Sequence, residues 1–341
     1  MENFTTYLDL LIEGESLTSE EAESALKMII NGEVSEAETA AFLFGMRQKG
    51  ETAEEMTAFV NVMRQAAVPV NVNTDGAVDL CGTGGDASGT FNISTAAMFV
   101  VAGAGITVLK HGNRSVSSKS GSADVLKSLG VKYDLPAEQV ERCFNETGLA
   151  FMFAPLFHPA MKYVMPARRA LKMRTFFNVL GPLMNPAGVK RQVIGAFNQE
   201  TAEMCMEILS NLDTEQAISV YSFDGLDEFT TTDRAYLYRY SKGRNVTGTE
   251  VSAVDLGFKK ARLEDLMGGD SEVNAQIITN ILKGKGTEAQ TDIVVLNAAY
   301  AILVSGRINE IENAVDLARD SIKSGNAYKA LKRMIESSND V

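Results

Sequence analysis

Residues 78–95 read VDLCGTGGDASGTFNIST, and this stretch decides the fold. The apolar run 78–80 predicts a short strand, a glycine-rich turn follows, and a helix is expected to start at Asn92, Ser94 or Thr95. Because glycine lacks a Cβ atom, the backbone N–H groups of such a turn can approach an anion closely, and the helix N-terminus adds further donors. The spacing matches neither GxGxxG nor the P-loop. The stretch is equally compatible with phosphate binding and with an ordinary tight turn.

A second polar segment favours the phosphate interpretation. Residues 110–126 read KHGNRSVSSKSGSADVL and follow the apolar run 106–109. Lys110, Arg114 and Lys119 supply positive charge, and the many serines supply hydrogen bonds, which is the mixture that a polyphosphate requires. Open α/β folds bind ligands at the carboxyl ends of their strands. The alternative is a solvated polar loop, and we favour the ligand site.

An acid pair, Asp227 and Glu228, lies in a loop just after the predicted strand 217–222. Carboxylate oxygens suit Mg²⁺, which binds one or two carboxylates and completes its coordination with water and phosphate oxygens. Adjacent acids are also common on solvated loops. Beside a polyphosphate site, the metal interpretation is the stronger of the two.

Residues 154–186 hold five of the seven prolines, which predicts a fixed loop path around a helical part that starts near Arg168 and Arg169. A buried guanidinium there would bind a substrate carboxylate through two parallel hydrogen bonds, although most arginines face solvent. His111 and His158 are the only histidines. They form neither a metal set nor a Ser/His/Asp set, and each is compatible with a purely structural role.

The chain has 341 residues, 45% hydrophobic and 22% charged, which is typical of a globular protein and excludes disordered, collagen-like and coiled-coil chains. The length predicts two domains, or one large domain with an appendage. Lys and Arg number 32 against 44 Asp and Glu, giving a net charge of −12. This charge argues against nucleic acid and acidic membranes as partners, while a local basic pocket remains compatible with it.

Cys81, Cys143 and Cys205 are odd in number, far apart and without metal-type spacing, which predicts a reducing, cytoplasmic location. No run approaches the roughly 18 consecutive apolar residues of a membrane span, and the N-terminus is acidic before its short apolar stretch. We therefore expect neither a membrane span nor a signal peptide.

The N-terminal region, residues 1–70, is predicted to be a helical domain, and residues 71–341 an α/β domain with a soft boundary between them. Three capping boxes precede apolar-periodic runs in the first part: Thr18 with Glu21, Ser35 with Glu38, and Thr52 with Glu55. Beyond it, strands are expected in the runs 78–80, 106–109, 149–153, 217–222 and 235–240, and helices over 291–305 and 309–324. Residues 252–260 are ambiguous between strand and helix.

Taken together, long motifs in one order resemble the anthranilate phosphoribosyltransferase family over nearly the whole chain. They are CGTGGD followed by NIST, KHGNRSVSSKSGSADVL, FAPLFHPAMKYV, RTFFNVLGPLMNPA, GLDE and DIVVLNAAYAILVSG. The resemblance implies a small helical domain, completed by a segment near 160–180, and a larger α/β domain of the nucleoside phosphorylase/phosphoribosyltransferase type around a hinge. It also implies a homodimer joined through the helical part.

The activity that the resemblance implies is transfer of the 5-phosphoribosyl group from phosphoribosyl pyrophosphate (PRPP) to anthranilate, with Mg²⁺ as cofactor, in tryptophan biosynthesis. The implied PRPP residues are Gly82, Gly85, Asp86, Thr90, Asn92, Ile93, Ser94, Thr95, Lys110, His111, Gly112, Asn113, Arg114, Ser115, Val116, Ser117, Ser118 and Ser122. The implied anthranilate residues are Gly82, Asn113 and Arg168, and the implied Mg²⁺ ligands are Ser94, Asp227 and Glu228. No general acid or base is assigned.

One departure from the family lies before the GLDE motif, where a His-Gly pair is common and this chain reads Tyr221-Ser222-Phe223. The alternatives are a pyrimidine nucleoside phosphorylase-like enzyme and a non-catalytic, nucleic-acid-binding relative. The segment 110–126 and the acid pair favour the transferase over the first, and the net charge counts against the second.

Overall fold

The chain begins with helices, continues as alternating strands and helices, and ends with helices. The computed structural model describes residues 3–84, 88–115 and 119–340. Its α-helices are α1 (Thr5–Ile12), α2 (Ser19–Asn31), α3 (Glu36–Lys49), α4 (Ala53–Gln65), α5 (Ile93–Gly103), α6 (Ser122–Ser128), α7 (Ala137–Thr147), α8 (Ala154–Phe157), α9 (Met161–Leu171), α10 (Phe177–Leu183), α11 (Gln199–Ser210), α12 (Ser271–Leu282), α13 (Glu288–Val304), α14 (Ile311–Lys323) and α15 (Asn326–Asn339). Its strands are β1 (Asp79–Gly82), β2 (Val108–Gly112), β3 (Leu149–Phe153), β4 (Arg191–Gly195), β5 (Gln216–Ser222), β6 (Arg234–Ser241) and β7 (Thr247–Ser252).

The three predicted capping boxes begin α2, α3 and α4. At the start of α4, Glu55 accepts the Thr52 N–H at 2.8 Å and Thr52 Oγ1 accepts the Glu55 N–H at 3.2 Å. The same reciprocal bonds are present at Thr18 and Ser35. Each box satisfies N–H donors that the first helical turn leaves unpaired, so the predicted helix starts are confirmed.

The strands form a mixed sheet in the order β1-β4-β5-β6-β7, with β1, β4 and β5 parallel and β6 and β7 antiparallel to their neighbours. The parallel pair β2-β3 adjoins β1 through a bridge between Val78 and Val108. The α/β class is therefore confirmed. Because β1, β2, β4 and β5 run in one direction, their carboxyl ends lie along one edge. The glycine turn, the polar segment 110–126 and the loop with the acid pair all begin at this edge.

The sequence does not predict β4 and β7. The first begins with Arg191 and Gln192, and the buried Gln192 side chain donates to the Pro182 carbonyl at 3.0 Å. Most of β7 is exposed and lacks apolar alternation, so it exists through pairing with β6. In the ambiguous stretch 252–260, residues Ala253–Leu256 form a 3₁₀ turn.

Helix α5 lies at the centre of the α/β part, in contact with α13, α14 and α15. Both α5 and α13 are buried on nearly every face, which explains their continuous apolar sequences. The predicted helices over 291–305 and 309–324 are confirmed as α13 and α14, whereas α12 and α15 were not anticipated. Among the described helices, none combines the length and apolar character needed to cross a membrane.

A separate core joins α1–α4 to α9, α10 and α11. Two expectations about this region are wrong. Pro166 and Pro182 lie inside α9 and α10 rather than in a loop, and Arg168 lies in the last turn of α9 rather than at a helix start. The helix α9 continues through its proline because Val164 and Ala167 are fully buried in this core, and such burial outweighs the low helix propensity of proline.

Candidate active site

The glycine turn, the start of α5 and the acid pair meet at the carboxyl end of β1. The Gly84 N–H donates to Asp227 Oδ2 at 2.8 Å, and the Ser94 N–H donates to Glu228 Oε1 at 3.1 Å. Ser94 lies in the first turn of α5, so Glu228 accepts one of the helix-terminal donors. The three predicted metal ligands, Ser94, Asp227 and Glu228, are therefore brought together across more than 130 residues of sequence.

Two glycines make room for the acid pair. Gly82 at the end of β1 pairs with Gly195 at the end of β4. A Cβ atom on Gly82 would lie 2.3 Å from Asp227 Oδ2, and one on Gly195 would lie 1.5 Å from the Asp227 carbonyl oxygen. Only glycine fits at either position beneath the loop that carries Asp227 and Glu228, here called the acid loop. Sequence reasoning found Gly82 but missed Gly195, because the strand that carries it was not recognised.

The acid loop is also held from behind by α13. The Asn297 side chain accepts the Phe229 N–H at 3.0 Å and donates to the Phe229 carbonyl at 2.8 Å, one residue beyond Glu228. Ser222 Oγ donates to the Glu228 carbonyl at 2.6 Å. Sequence reasoning missed Asn297. The available signal was one amide side chain inside the apolar run of α13, since a buried polar group requires a hydrogen-bond partner.

Lys110 lies beneath this edge and is almost fully buried. Its ammonium group donates to the Leu80 carbonyl and to Ser94 Oγ, the latter at 3.3 Å. On the neighbouring strand, Asp79 accepts the His111 N–H at 3.3 Å and the Asn185 side-chain amide at 2.8 Å. Burial raises the pKa of Asp79 to about 6, and the Lys110 charge opposes that rise. The predicted PRPP residue Lys110 is thus a buried cation next to a proposed metal ligand.

The loop before α5 is fixed by contacts from two distant segments. The Asn92 side chain donates to the Ser120 carbonyl and accepts from the Asn274 side chain of α12, both at 3.0 Å. Thr90 forms an isolated antiparallel β-bridge with Met267. Two more predicted PRPP residues, Ile93 and Thr95, are buried in the core. Their side chains are therefore not available to a ligand. Nothing in the sequence identified Asn274 as a residue that supports this loop.

The polar segment after β2 folds back on the start of α6. Ser122 Oγ donates to the Asn113 carbonyl at 3.1 Å, and Asp124 accepts the Ser115 N–H at 3.2 Å. The Arg114 guanidinium lies over the rings of Tyr133 and Phe153, 5.4 and 5.6 Å from their centroids. A Cβ atom on the predicted residue Gly112 would lie 2.5 Å from Ser122 Oγ and 2.7 Å from the Phe151 ring, so these side chains would have to shift.

Five predicted PRPP residues lie outside the described residues, namely Gly85, Asp86, Val116, Ser117 and Ser118.

The two histidines pack against each other in the interior. The ring centroids of His111 and His158 are 5.1 Å apart, and the ring planes are inclined at 67°. Burial and the neighbouring His158 lower the pKa of His111 to about 3, and burial lowers that of His158 to about 4, so both are neutral at pH 7.

Within the described parts of the chain, no group of three or more His, Cys, Asp or Glu side chains is arranged to hold a metal. The acid pair suits an ion that takes only one or two protein carboxylates.

In the described structure, no hydrogen bond joins Arg168 to either of the other predicted anthranilate residues, Gly82 and Asn113. Its Nη2 donates to Asn178 Oδ1 at 3.4 Å, and its guanidinium lies over the Phe177 ring at 5.5 Å. Partial burial lowers the pKa of Arg168. Both of these neighbours belong to the first turn of α10.

Comparison with known proteins shows the family to which the chain belongs. A family model described as the helical bundle domain of a glycosyl transferase family matches residues 5–67, and the α/β domain model of that family matches residues 74–328. The anthranilate phosphoribosyltransferase of Salinibacter ruber is 46% identical over 332 residues, covering 96% of each chain, and that of Petrotoga mobilis is 43% identical, covering 98% of this chain and 97% of its own.

Solved structures agree with these sequence matches. The crystal structure of anthranilate phosphoribosyltransferase from Thermus thermophilus superimposes with a TM-score of 0.90 at 37% identity, covering 98% of this chain and 99% of its own. The enzyme from Saccharomyces cerevisiae in complex with PRPP and Mg has the same fold, with a TM-score of 0.91 at 24% identity over 99% of this chain and 98% of its own. The chain belongs to the anthranilate phosphoribosyltransferase family.

Proposed function

We propose that the protein transfers the 5-phosphoribosyl group of PRPP to the amine of anthranilate, giving N-(5-phosphoribosyl)anthranilate and pyrophosphate, in tryptophan biosynthesis. The observation that carries this proposal is the meeting of backbone donors and carboxylates at the end of β1. The Gly84 and Ser94 N–H groups hold Asp227 and Glu228 beside the glycine turn and the start of α5, and these carboxylates supply ligands for a divalent cation. Family membership supports the same activity.

The cofactor proposed here is Mg²⁺, held by Ser94, Asp227 and Glu228. When bound, the ion would neutralise the negative charge that develops on the departing pyrophosphate. Backbone N–H groups of the glycine turn and of the N-terminus of α5 would orient the same group. Lys110 adds a positive charge beneath Ser94.

In the reaction, the bond from the anomeric carbon to the pyrophosphate oxygen breaks, a bond to the anthranilate nitrogen forms, and the nitrogen loses a proton. The aryl amine is neutral at pH 7, so we assign no general base and expect positioning to be the main contribution. Arg168 would bind the anthranilate carboxylate through its guanidinium, with Gly82 and Asn113 as further contacts. Replacement of Arg168 by Ala should raise the anthranilate KM much more than the PRPP KM.

The remaining PRPP contacts are proposed from the predicted set, with Ile93 and Thr95 acting through their backbone groups. We further propose a cytoplasmic homodimer joined through residues 1–70 and the helical segment near 160–180, with residues 71–341 binding both substrates. The packing of α9 against α2 and α3 supports the inclusion of this segment in the helical part. The exposed side chains of Ile12 and Phe44, on α1 and α3, supply apolar surface for such an interface.

The proposal is tested by following the loss of anthranilate fluorescence with purified protein, PRPP and Mg²⁺, omitting each component in turn. Loss that requires all of them is the expected result. Well-folded protein without turnover would contradict the proposal. Phosphorolysis of thymidine or uridine would then indicate a nucleoside phosphorylase, and salt-dependent retention on DNA would indicate a nucleic-acid-binding relative.

A further inference from the structure

Arg168 is a partly buried cation without a carboxylate partner in the described chain. Loss of solvent alone lowers its pKa, with no contribution from a nearby acid. Its neighbours are an amide oxygen, Asn178 Oδ1 at 3.4 Å, and the face of the Phe177 ring at 5.5 Å. A guanidinium that has lost water and gained no counter-charge binds an incoming carboxylate more strongly than one already paired with an acid.

Asn178 holds two groups with one oxygen. Its Oδ1 accepts the Thr175 N–H at 3.1 Å as well as the Arg168 guanidinium, and its own backbone N–H donates to the Thr175 carbonyl at 2.9 Å. The side chain therefore both closes the turn into α10 and orients the guanidinium. An aspartate here would make the same two hydrogen bonds and would also neutralise the charge of Arg168.

Helix α10 links this pair to the rest of the site. Burial lowers the pKa of His111 at the end of β2, and a hydrogen bond with the Gly181 backbone of α10 opposes that shift. Arg64 of α4 donates to the Leu183 carbonyl at 2.8 Å and so fixes the C-terminal end of α10. The position of Asn178 is thus tied to the strand edge where the PRPP residues are proposed.

We propose that Asn178 is a positioning residue for anthranilate: its uncharged amide aims Arg168 and leaves the positive charge free for the substrate carboxylate. This inference rests on the proposed function. It requires both properties of the side chain, the hydrogen-bonding oxygen and the absence of charge, and the two can be separated by substitution.

The test compares Asn178→Asp with Asn178→Ala. Asp keeps the shape and both acceptor bonds but places a carboxylate against Arg168, whereas Ala removes both bonds. We expect the anthranilate KM to rise on the order of tenfold in N178D and less in N178A, with the PRPP KM nearly unchanged in both. The inhibition constant of benzoate, which keeps the carboxylate and lacks the amine, should rise in parallel in N178D.

A purely structural role gives the opposite order, because Asp still accepts the Thr175 N–H and only Ala opens the turn. An anthranilate KM that is normal in N178D and raised in N178A would overturn the inference. Asn73→Asp is the matched control, since Asn73 Oδ1 accepts the Asp75 N–H at 2.9 Å in an exposed turn. Wild-type protein without turnover would refute the proposed function, and a wild-type chain that binds neither anthranilate nor benzoate would refute both.

Discussion

The N-terminal helices and the candidate active site use one kind of contact, a carboxylate that accepts a backbone N–H, at very different sequence separations. In α4, Glu55 accepts from Thr52, three residues away. At the site, Asp227 accepts from Gly84 across 143 residues, and Glu228 accepts from Ser94 across 134. A local contact costs little loop-closure entropy, whereas the distant ones form only once the sheet has assembled. The first kind stabilises one helix, and the second kind depends on the whole fold.

The largest effect is expected where the distant carboxylates lose their charge. The double variant Asp227→Asn, Glu228→Gln should lower kcat/KM by about 10³-fold or more, because no charged ligand remains for the cation. Binding of Mn²⁺, measured by electron paramagnetic resonance, should weaken in step. Glu21→Gln removes a local carboxylate of the same kind and should leave both readouts unchanged. A double variant with wild-type metal response would remove these acids from the site.

Gly195→Ala tests the backbone approach beneath the same acids. A Cβ atom there would lie 1.5 Å from the Asp227 carbonyl oxygen, so the acid loop must move. We expect a loss of about 3 kcal/mol in the free energy of unfolding, measured with urea, and a large fall in kcat/KM. In Gly45→Ala the new atom meets only the Leu11 side chain, at 3.1 Å, so activity should persist. Wild-type activity in G195A would show that the loop tolerates displacement.

This contrast in separation also explains what the sequence could predict. The helix starts at Thr18, Ser35 and Thr52 follow from residues three positions apart, and the strand 149–153 follows from an unbroken apolar run. The acid pair and the glycine turn were recognised as separate motifs with a shared chemistry. That Ser94, Asp227 and Glu228 share one site was implied only by the family resemblance.

The supporting residues could not be predicted because their partners lie far away in the chain. Asn274 contacts Asn92 across 182 residues, and Asn297 contacts Phe229 across 68. Nothing local distinguishes Asn274 from an exposed amide, and the apolar run around Asn297 indicates that its side chain is buried without indicating its partner. The error at Arg168 has a related cause, since the burial of α9 against α2 and α3 carries the helix through its proline.

The dependence of stability on pH should come from titratable groups buried outside the N-terminal helices. His111 and His158 are neutral in the folded state, with pKa values of about 3 and 4, but take up protons when unfolded below about pH 6.5. The unfolded state then binds more protons, so stability falls as the pH drops from 6.5 towards 4. Asp79, whose pKa is raised to about 6, acts in the opposite direction between about pH 4 and 6.

The expected net result is a loss of about 2 kcal/mol in the free energy of unfolding between pH 7 and pH 5. Urea titrations at several pH values measure it. His158→Phe keeps the ring contact with His111 and removes one titrating group, so its slope should be shallower. Among the capping carboxylates, hydrogen bonds from Ser35 hold the pKa of Glu38 below its usual range. An unchanged slope in H158F would exclude His158 as a source of the effect.

The smallest effect belongs to the local contacts themselves. Thr52→Ala removes the cap on the Glu55 N–H and should cost about 1 kcal/mol of unfolding free energy without changing KM for either substrate. Thr18→Ala should cost less, because the Thr18–Glu21 hydrogen bond is exposed. Glu55 is fully buried and also accepts the Leu17 N–H at 2.8 Å and the Lys49 ammonium at 2.9 Å. Urea unfolding and steady-state kinetics on both variants provide the measurement. A substantial loss of activity in T52A would mean that the helices and the site are coupled more tightly than their sequence separations indicate.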